Sequence, residues 1–299
     1  MIRTVLGSVD EREIKAALCH EHICCYSEYL KTMSGGALFD EKELIRVSVA
    51  RLKQIKEKYG VNLFVDCTPV NIGRNIDILK AVSEESGVNI VCSTGFYYTE
   101  ECLLFNRSVE FLTELYLNDA KKVNAGVIKV AIESENLSSL NEKLLIASVN
   151  AHLRTGLPIV MHSNARNKNG IKGLEILLGA GVSPSAITAG HLSDTEDTDY
   201  ILKVAEYGCY IGLDRLRLNT TEEYIQSKLK VINKLIDNGF EERILLSHDA
   251  LIYSEFDPEP KINENARYNY VFDHILNRLS DDAAKTIMTK NPVRMLGCK

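Results

Sequence analysis

The chain has 299 residues, of which 45% are hydrophobic and 25% charged, a composition typical of a globular protein with a large core. Its net charge of -6 and isoelectric point near 5.7 argue against nucleic acid or an anionic membrane surface as the main partner. The chain begins without a signal-peptide segment and contains no apolar run of about 18 residues that could span a bilayer. We therefore expect a cytoplasmic protein.

The cysteines predict reduced thiols rather than a disulfide framework. Several lie in apolar, strand-like runs, and no Cys-x-x-Cys pair occurs among the eight positions 19, 24, 25, 67, 92, 102, 209 and 298. In a chain of this length without an export signal, such residues usually pack as small hydrophobic side chains. A soft-metal or redox role for the vicinal pair Cys24 and Cys25 is the alternative.

Short apolar runs alternate with amphipathic helical patterns along the whole chain. The predicted strands cover 16–22, 61–67, 89–93, 126–132, 157–162, 186–190, 209–213 and 243–247. The predicted helices cover 41–59, 75–85, 106–122, 138–155, 170–180, 196–206, 221–238 and the closing region 267–289.

This order of elements predicts the fold class. Strands rich in Val and Ile are buried on both faces, and strict alternation of strand and helix makes a parallel sheet. Eight such units in 299 residues indicate a closed (β/α)8 TIM barrel of the α/β class. An open doubly wound sheet is the alternative, but no Gly-x-Gly-x-x-Gly turn follows an early strand. No linker divides the chain, so we expect one domain over 1–299, with a small hairpin at its start across the barrel floor.

Metal-binding side chains fall at the ends of the predicted strands. His20 and His22 are two residues apart on the first strand, so both rings point to one face while Glu21 points behind it. His162, His191 and Asp249 end or follow later strands, and catalytic residues of such barrels lie at those ends. Four imidazoles and one carboxylate exceed one tetrahedral site and suit two divalent cations of the zinc type.

Lys129 is the one charged residue within the apolar fourth barrel strand. A buried lysine is costly to keep protonated. A neutral amine beside two cations can take up carbon dioxide, and the resulting carbamate can bridge two metals, which need a shared anion at about 3.5–4 Å separation. We therefore expect N6-carboxylated Lys129 within a binuclear site.

Together with these residues, three short motifs resemble the phosphotriesterase family of the amidohydrolase superfamily, including its phosphotriesterase-like lactonases. The motifs are Val65-Asp66-Cys67-Thr68 leading to Gly73-Arg74, Ser93-Thr94-Gly95-Phe96-Tyr97-Tyr98, and Gly212-Leu213-Asp214-Arg215. The resemblance runs from residue 2 to about 296. It implies that His20, His22 and Asp249 hold the more buried metal, that His162 and His191 hold the more exposed one, and that carboxylated Lys129 and a hydroxide bridge them. Cys24-Cys25-Tyr26 departs from the family pattern and affects the expected pocket.

The resemblance implies a hydrolase in which the bridging hydroxide attacks the substrate and Asp249 accepts its proton. Tyr97 matches a lactonase tyrosine near the carbonyl, with Tyr98 as its rival. We expect a lactonase acting on a small polar lactone. A phosphoester, phosphotriester or amide hydrolase is the alternative, and a metal-binding barrel without turnover is an alternative of another class. Zinc is the expected metal, with manganese, cobalt or iron as alternatives, and the resemblance implies a homodimer.

Substrate choice is expected in the loops 214–219 and 250–266. The second loop is polar and charged, which disfavours lactones with long acyl chains. Basic side chains near these loops could hold an anionic group, such as the phosphate of a sugar lactone. The predicted substrate-binding residues are Tyr98, Arg166, Arg215, Arg217, Lys261 and Arg267. The same arginines could instead form ion pairs with Asp197, Glu255 or Asp257.

Overall fold

The computed structural model describes residues 1–36, 38–99, 101–134, 136–217 and 219–297. Cys298 and Leu218, which belong to the predicted cysteine set and the predicted loop 214–219, lie outside these ranges. The strands are β1 Ile2–Thr4, β2 Gly7–Val9, β3 Ala16–Glu21, β4 Cys24–Cys25, β5 Val61–Asp66, β6 Asn89–Gly95, β7 Val127–Ile132, β8 Ile159–Ser163, β9 Ile187–Ala189, β10 Tyr210–Leu213, β11 Ile244–Leu246 and β12 Tyr253–Ser254.

Ten α-helices surround the strands in the described part of the chain. They are α1 Glu28–Met33, α2 Glu41–Tyr59, α3 Ile76–Ser86, α4 Val109–Val123, α5 Ser139–Thr155, α6 Gly170–Gly179, α7 Thr198–Glu206, α8 Glu222–Asp237, α9 Asp281–Lys285 and α10 Asn291–Leu296. None of the described helices is long and apolar enough to cross a membrane.

The main sheet confirms the predicted (β/α)8 barrel. Its eight strands are parallel and follow one another in chain order from β3 through β5–β10 to β11. A smaller apolar core that includes Leu63, Val91 and Val160 fills the barrel, and a larger core packs the helices onto the strands. The organisation as one domain over 1–299 stays a prediction.

The first and last barrel strands, β3 and β11, are joined by hydrogen bonds of Ser247 and Asp249, which follow β11. The hydroxyl of Ser247 accepts hydrogen bonds from the backbone N–H groups of Cys19 at 2.8 Å and His20 at 3.0 Å. The backbone N–H of Asp249 donates to the carbonyl of His20 at 3.1 Å. The first and last strands of the barrel therefore meet where the metal-binding residues lie.

The helix α2 shows why the predicted helices form where they do. The carboxylate of Asp40 accepts hydrogen bonds from the backbone N–H groups of Lys42 and Glu43, which caps the first turn. Gly60 ends the helix at a φ of 74°, a left-handed conformation that glycine adopts without strain. Leu44 and Leu52 are fully buried on the face toward the barrel.

The closing helices, predicted over 267–289, begin at Val271 and continue beyond 289 to the end of α10. A π-helix spans Val271–Ile275 and a short 3-10 helix spans Leu276–Arg278. The α-helix α9 begins only after Ser280. The Ser280 hydroxyl accepts a hydrogen bond from the backbone N–H of Ala283, so this residue caps a new helix instead of continuing the previous one.

The start of the chain forms the predicted hairpin. β1 and β2 pair antiparallel, and the backbone N–H of Val5 donates to the carbonyl of Ile90 at 2.8 Å. Ile90 lies at the beginning of β6, so the hairpin lies at the end of the barrel opposite the metal-binding residues. The seven described cysteines are free, as their settings predict.

Candidate metal centre

The structure brings the six predicted ligands together at the carboxyl ends of the barrel strands. We call His20, His22, Lys129, His162, His191 and Asp249 the metal cluster; each is at most 7% exposed. A cavity of about 250 Å³ is lined by five of the six, all except His20. Their roles as ligands stay a prediction.

Three members of the cluster form a tight group suited to one cation. The ligand atoms of His20, His22 and Asp249 all lie within 4.8 Å of one another. The Nε2 atom of His22 is 3.0 Å from the Oδ1 atom of Asp249. Asp249 has a φ of 51° and His191 a φ of 63°, so the backbone takes a left-handed turn at both strand ends. Imidazole nitrogens and a carboxylate at these distances fit a divalent cation of the zinc type.

Asp214 orients two of the imidazoles, and the sequence prediction did not include it. Its two carboxylate oxygens lie 2.6 Å from Nδ1 of His20 and 2.9 Å from Nδ1 of His191. It also accepts a hydrogen bond from the backbone N–H of His191 at 2.8 Å. Because each Nδ1–H donates to Asp214, each Nε2 keeps a lone pair free for a metal.

Asp214 also belongs to a second group, with His20 and His191, whose ligand atoms lie within 4.8 Å of one another. Its oxygens contact the Nδ1 atoms of both rings and not the Nε2 atoms, so we assign it to positioning and not to coordination. The motif Gly212-Leu213-Asp214-Arg215 contained this residue, but Asp214 was not among the predicted metal ligands or catalytic residues.

Two further residues orient the remaining imidazoles. The Thr68 hydroxyl lies 2.8 Å from Nδ1 of His22, which leaves Nε2 of that ring toward Asp249. Glu133 lies 2.8 Å from Nε2 of His162, which leaves Nδ1 of that ring free. The hydrogen bond from His162 lowers the pKa of Glu133. Each of the four imidazoles therefore has one nitrogen bonded to an acceptor and one available to a cation.

Lys129 lies inside the cluster and not at its edge. Its side chain is 1% exposed, and its Nζ atom lies 2.7 Å from Nε2 of His20. This is the imidazole nitrogen that Asp214 leaves free. The amine is therefore next to the position where a cation would bind, as a bridging carboxylated lysine requires.

Burial and neighbouring charges set the protonation of the cluster. Burial lowers the pKa of His191 and of His162, and burial together with nearby Lys129 lowers that of His20. Burial opposes ionisation of Asp249, but His191, His22 and Arg215 hold its pKa well below its usual range. Neutral imidazoles and an ionised carboxylate are the forms that bind metals.

Glu21 fixes the backbone that carries Asp249. It is fully buried behind the strand, and its Oε1 atom accepts hydrogen bonds from the backbone N–H of His248 at 2.9 Å and from Nδ1 of that ring at 2.6 Å. Its Oε2 atom accepts from the backbone N–H of Ala250 at 3.0 Å. The residues on both sides of Asp249 are thus tied to the first barrel strand.

Of the predicted catalytic and substrate residues, Asp249, Tyr97, Arg215 and Arg217 line the cavity. The Tyr98 ring lies outside the lining, with its centroid 5.8 Å from that of His162. Arg215 forms ion pairs, but not with the acidic residues expected for that alternative: Nε donates to Asp249 Oδ2 at 2.7 Å and Nη1 to Asp194 Oδ2 at 2.6 Å.

Three of the five basic side chains predicted to bind substrate lie outside the cavity lining, and their role stays a prediction. Arg166, Lys261 and Arg267 are exposed and lie outside the cavity lining. The Arg267 guanidinium donates to the backbone carbonyl of Arg217 at 3.0 Å. Strand pairing fixes where a loop begins, but a long side chain on that loop can extend into water instead of the cavity.

The fold and the metal cluster together define a metal-dependent hydrolase built on a (β/α)8 barrel. A model of the phosphotriesterase family matches residues 1–296, and the chain belongs to this family, whose members depend on a binuclear metal centre.

Three relatives show the range of enzymes that this chain is similar to. The chain is 31% identical to an aryldialkylphosphatase of Saccharolobus solfataricus, over 95% of this chain and 96% of that protein. It is 27% identical to a phosphotriesterase homology protein of Mycobacterium tuberculosis, over 98% and 97% of the two chains. It is 26% identical to an N-acetyltaurine hydrolase of Xenopus tropicalis, over 100% and 98%.

Proposed function

We propose that this hydrolase opens the ring of a small polar lactone. The observation that carries the proposal is the composition of the cavity, where the metal cluster meets Tyr97 and Arg217 within about 250 Å³. At about 30 Å³ for each water-sized group, this volume holds a five- or six-membered ring with small substituents. Ser254 and Asp257 add polar surface to the lining.

Two zinc ions fit the donor set best. His20, His22 and Asp249 would hold one ion, His162 and His191 the other, with carboxylated Lys129 between them. When bound, such ions polarise a carbonyl oxygen and lower the pKa of water so that a nucleophile is available at neutral pH. Manganese, cobalt and iron accept the same ligands.

Asp249 is suited to accept the proton of the attacking water. Its carboxylate is ionised because His191, His22 and Arg215 hold its pKa well below the usual range despite burial. The Nε atom of Arg215 fixes one carboxylate oxygen at 2.7 Å, so the group cannot rotate away from the cavity. General base catalysis requires this combination of ionisation and fixed position.

Tyr97 supports a lactone as the substrate. Burial raises the pKa of its phenol, so the hydroxyl keeps its proton at neutral pH. Its ring centroid lies 5.1 Å from that of His162, beside the metal cluster. A protonated phenol at this place can donate a hydrogen bond to the carbonyl oxygen or to the ring oxygen that leaves.

A phosphorylated sugar lactone is the narrower version of the proposal. Among the predicted basic residues, Arg217 lines the cavity while Arg215 is engaged with Asp249 and Asp194. A phosphate would therefore depend mainly on Arg217. Cytoplasmic location and a homodimer stay predictions.

The relatives favour phosphotriester or amide hydrolysis as the second candidate. An aryldialkylphosphatase and an N-acetyltaurine hydrolase are similar to this chain over nearly its whole length. The same cluster could act on a phosphoryl or amide group, since Asp249 would accept the proton of water in each reaction.

The test is hydrolysis followed by proton release, with the zinc- or manganese-loaded enzyme and paired neutral and phosphorylated lactones. We expect ring opening that Asp249→Asn reduces by at least about 1,000-fold, because the variant loses the proton acceptor. Preference for the phosphorylated members, lost in Arg217→Met, would support the narrower version. Turnover of an aryl dialkyl phosphate or an N-acyl amide, with no lactone hydrolysed and two metals bound, would overturn the lactonase proposal.

A further inference from the structure

One side chain joins the loops after the second and third barrel strands. Asn71 lies in the short 3-10 helix Val70–Ile72 that follows β5, and Tyr97 lies in the loop that follows β6. The side-chain oxygen of Asn71 accepts a hydrogen bond from the backbone N–H of Tyr97 at 2.8 Å. The two residues are 26 positions apart, so this bond joins two neighbouring units of strand and helix.

The amide nitrogen of Asn71 contacts the same loop at a second place. It donates to the hydroxyl of Thr99 at 3.0 Å and to the carbonyl of Thr99 at 3.3 Å, and it lies 3.4 Å from the carbonyl of Tyr97. An Asn side chain offers an acceptor oxygen and an NH2 donor group, and Asn71 uses both. A single longer bond, from Asn141 to the carbonyl of Tyr98 at 3.5 Å, also reaches this loop. Asn71 therefore makes the shorter bonds to the backbone around Tyr97.

The segment that carries Asn71 is itself anchored to the barrel. The backbone N–H of Tyr26 donates to the carbonyl of Ile72 at 3.0 Å. The side chain of Arg74 is 5% exposed and donates to both carboxylate oxygens of Asp119 at 2.7 Å. Such a bidentate pair fixes direction as well as distance. Asn71 therefore extends from a firmly held base to the loop that it contacts.

The ring of Tyr97 has less support from its other neighbours. Its centroid is 5.1 Å from that of His162 on the metal side and 6.1 Å from that of Phe256 on the other. Phe256 is 61% exposed, so it offers the ring little packing. The ring of Tyr98, 4.4 Å away, belongs to the same loop. The position of the phenol in the cavity therefore depends on the backbone of its own loop.

We infer that Asn71 is a positioning residue that keeps the Tyr97 hydroxyl where the lactone needs a hydrogen-bond donor. A displacement of about 1 Å in such a group can lower a rate about 100-fold. The inference rests on the proposed function, because Asn71 takes part in the reaction only through Tyr97. It also extends the site to the loop after the second barrel strand, which supplied none of the predicted site residues.

Asn71→Ala, assayed with the metal-loaded enzyme and neutral lactones, is the first test. The variant keeps the Tyr97 phenol and removes the side-chain bonds that hold its loop. We expect kcat to fall about tenfold while KM stays within about twofold, because the hydroxyl acts mainly in the transition state. An unchanged kcat would overturn the inference.

Asn62→Ala is the matched control for loss of an asparagine that bonds the backbone. The Asn62 side chain accepts from the backbone N–H of Lys15 at 2.9 Å and donates to the carbonyl of Glu13 at 2.7 Å. It lies at the start of β5, at the end of the barrel opposite the metal cluster. Its loss should leave kcat within about twofold, since distant sites act independently.

The Tyr97→Phe background shows whether Asn71 acts through the hydroxyl. Tyr97→Phe alone should lower kcat at least about tenfold, and adding Asn71→Ala should then change kcat less than about twofold. A further tenfold loss in the double variant would show that Asn71 acts by another route, and it would overturn the inference.

A second measurement does not depend on turnover. The chain contains no tryptophan, so all indole fluorescence of a Tyr97→Trp variant comes from this position. We expect time-resolved anisotropy to show a rigid indole in this variant, and an added nanosecond motion when Asn71→Ala is combined with it, because loop motions occur on that timescale. Asn62→Ala in the same background should leave the decay unchanged.

The anisotropy separates this inference from the proposed function. If no lactone is hydrolysed, the lactonase proposal fails; if Tyr97→Phe is fully active, the role of its hydroxyl fails. In both cases the anisotropy decides about Asn71: added motion supports positioning, and equal decays with and without Asn71→Ala overturn it. Should Asn71→Ala fail to fold, Asn71→Asp carries the same comparisons, since its carboxylate still accepts from Tyr97 but cannot donate to Thr99.

Discussion

The structure holds the side chains of the metal cluster in position more firmly than the basic side chains around the cavity. The imidazoles of the cluster are buried, and an acceptor fixes one nitrogen of each. Of the five basic residues predicted around the cavity, two line it and three are exposed outside it. Strand ends in a closed barrel have little freedom, whereas side chains on loops have alternatives in water. Chemistry at the cluster should therefore be sensitive to small changes, and the basic residues tolerant of large ones.

Asp214→Asn should give the largest effect of the variants that leave the metal cluster itself intact. Asn offers one acceptor oxygen and, in place of the second oxygen, an NH2 donor group, so it cannot accept from Nδ1–H of both His20 and His191. One imidazole must change tautomer and lose its free Nε2. We expect metal affinity to fall about 10–100-fold, measured by competition with a chelator. Asp199→Asn, an exposed carboxylate on α7, should change nothing; equal affinity in both variants would contradict the assigned role.

Glu21→Gln tests how strongly the hydrogen bonds of Glu21 stabilise the backbone on both sides of Asp249. The NH2 group of the Gln side chain would replace one of the two acceptor oxygens. It would then meet either the backbone N–H of Ala250 or the two N–H groups of His248, donor against donor. Removing a buried, fully bonded charge should lower the free energy of unfolding by about 3 kcal/mol, measured by urea denaturation. The exposed Glu13→Gln variant is the control and should stay within about 0.5 kcal/mol. A loss of no more than about 0.5 kcal/mol in Glu21→Gln would show that Glu21 does not stabilise the backbone beside Asp249.

Glu133→Gln should have an intermediate effect. The amide oxygen can still accept from Nε2–H of His162, so the tautomer is kept, while the charge and the hydrogen bond from the Asn164 amide to the second oxygen are lost. We expect kcat/KM to fall about tenfold, at the lower limit for residues that orient metal ligands. Glu142→Gln, at an exposed position on α5, is the comparison. A loss as large as that in Asp249→Asn would mean that Glu133 contacts the reaction directly.

Arg217→Met and Arg166→Met form the pair with the smallest expected effects. Arg217 lines the cavity, so its loss should raise KM about fivefold for a polar or phosphorylated lactone, with kcat little changed. Arg166 is exposed outside the lining, and its variant should match the wild type within about twofold. Equal increases in KM would show that the anionic group extends beyond the cavity, and the contrast between the two arginines would be lost.

Much of the architecture could be predicted from the sequence because a repeat of strand and helix determines where side chains meet. Once eight units are counted, His162, His191 and Asp249 must lie at the same end of the barrel as His20. Asp214 could not be predicted as readily, because its role depends on hydrogen bonds to two rings that lie 194 and 23 residues away along the chain.

The contact between the segment after the first barrel strand and the loop 250–266 could not be predicted for a different reason. It depends on the pairing of β4 with β12, two strands of two residues each, which are too short to produce a periodic pattern. The polar composition of the loop 250–266 suggested a polar site, but Glu255 is bonded to Ser27 while Phe256 lines the metal cavity. Composition alone does not show which side chains a loop presents to a cavity.

The most direct measurement is the zinc content of metal-free protein reconstituted with and without bicarbonate, for the wild type and Lys129→Met. Bicarbonate supplies the carbon dioxide for carboxylation of the buried lysine. We expect two zinc ions per chain in the wild type with bicarbonate, and fewer without it or in Lys129→Met. Two zinc ions in Lys129→Met, or one at most in the wild type under every condition, would contradict a binuclear centre that includes Lys129.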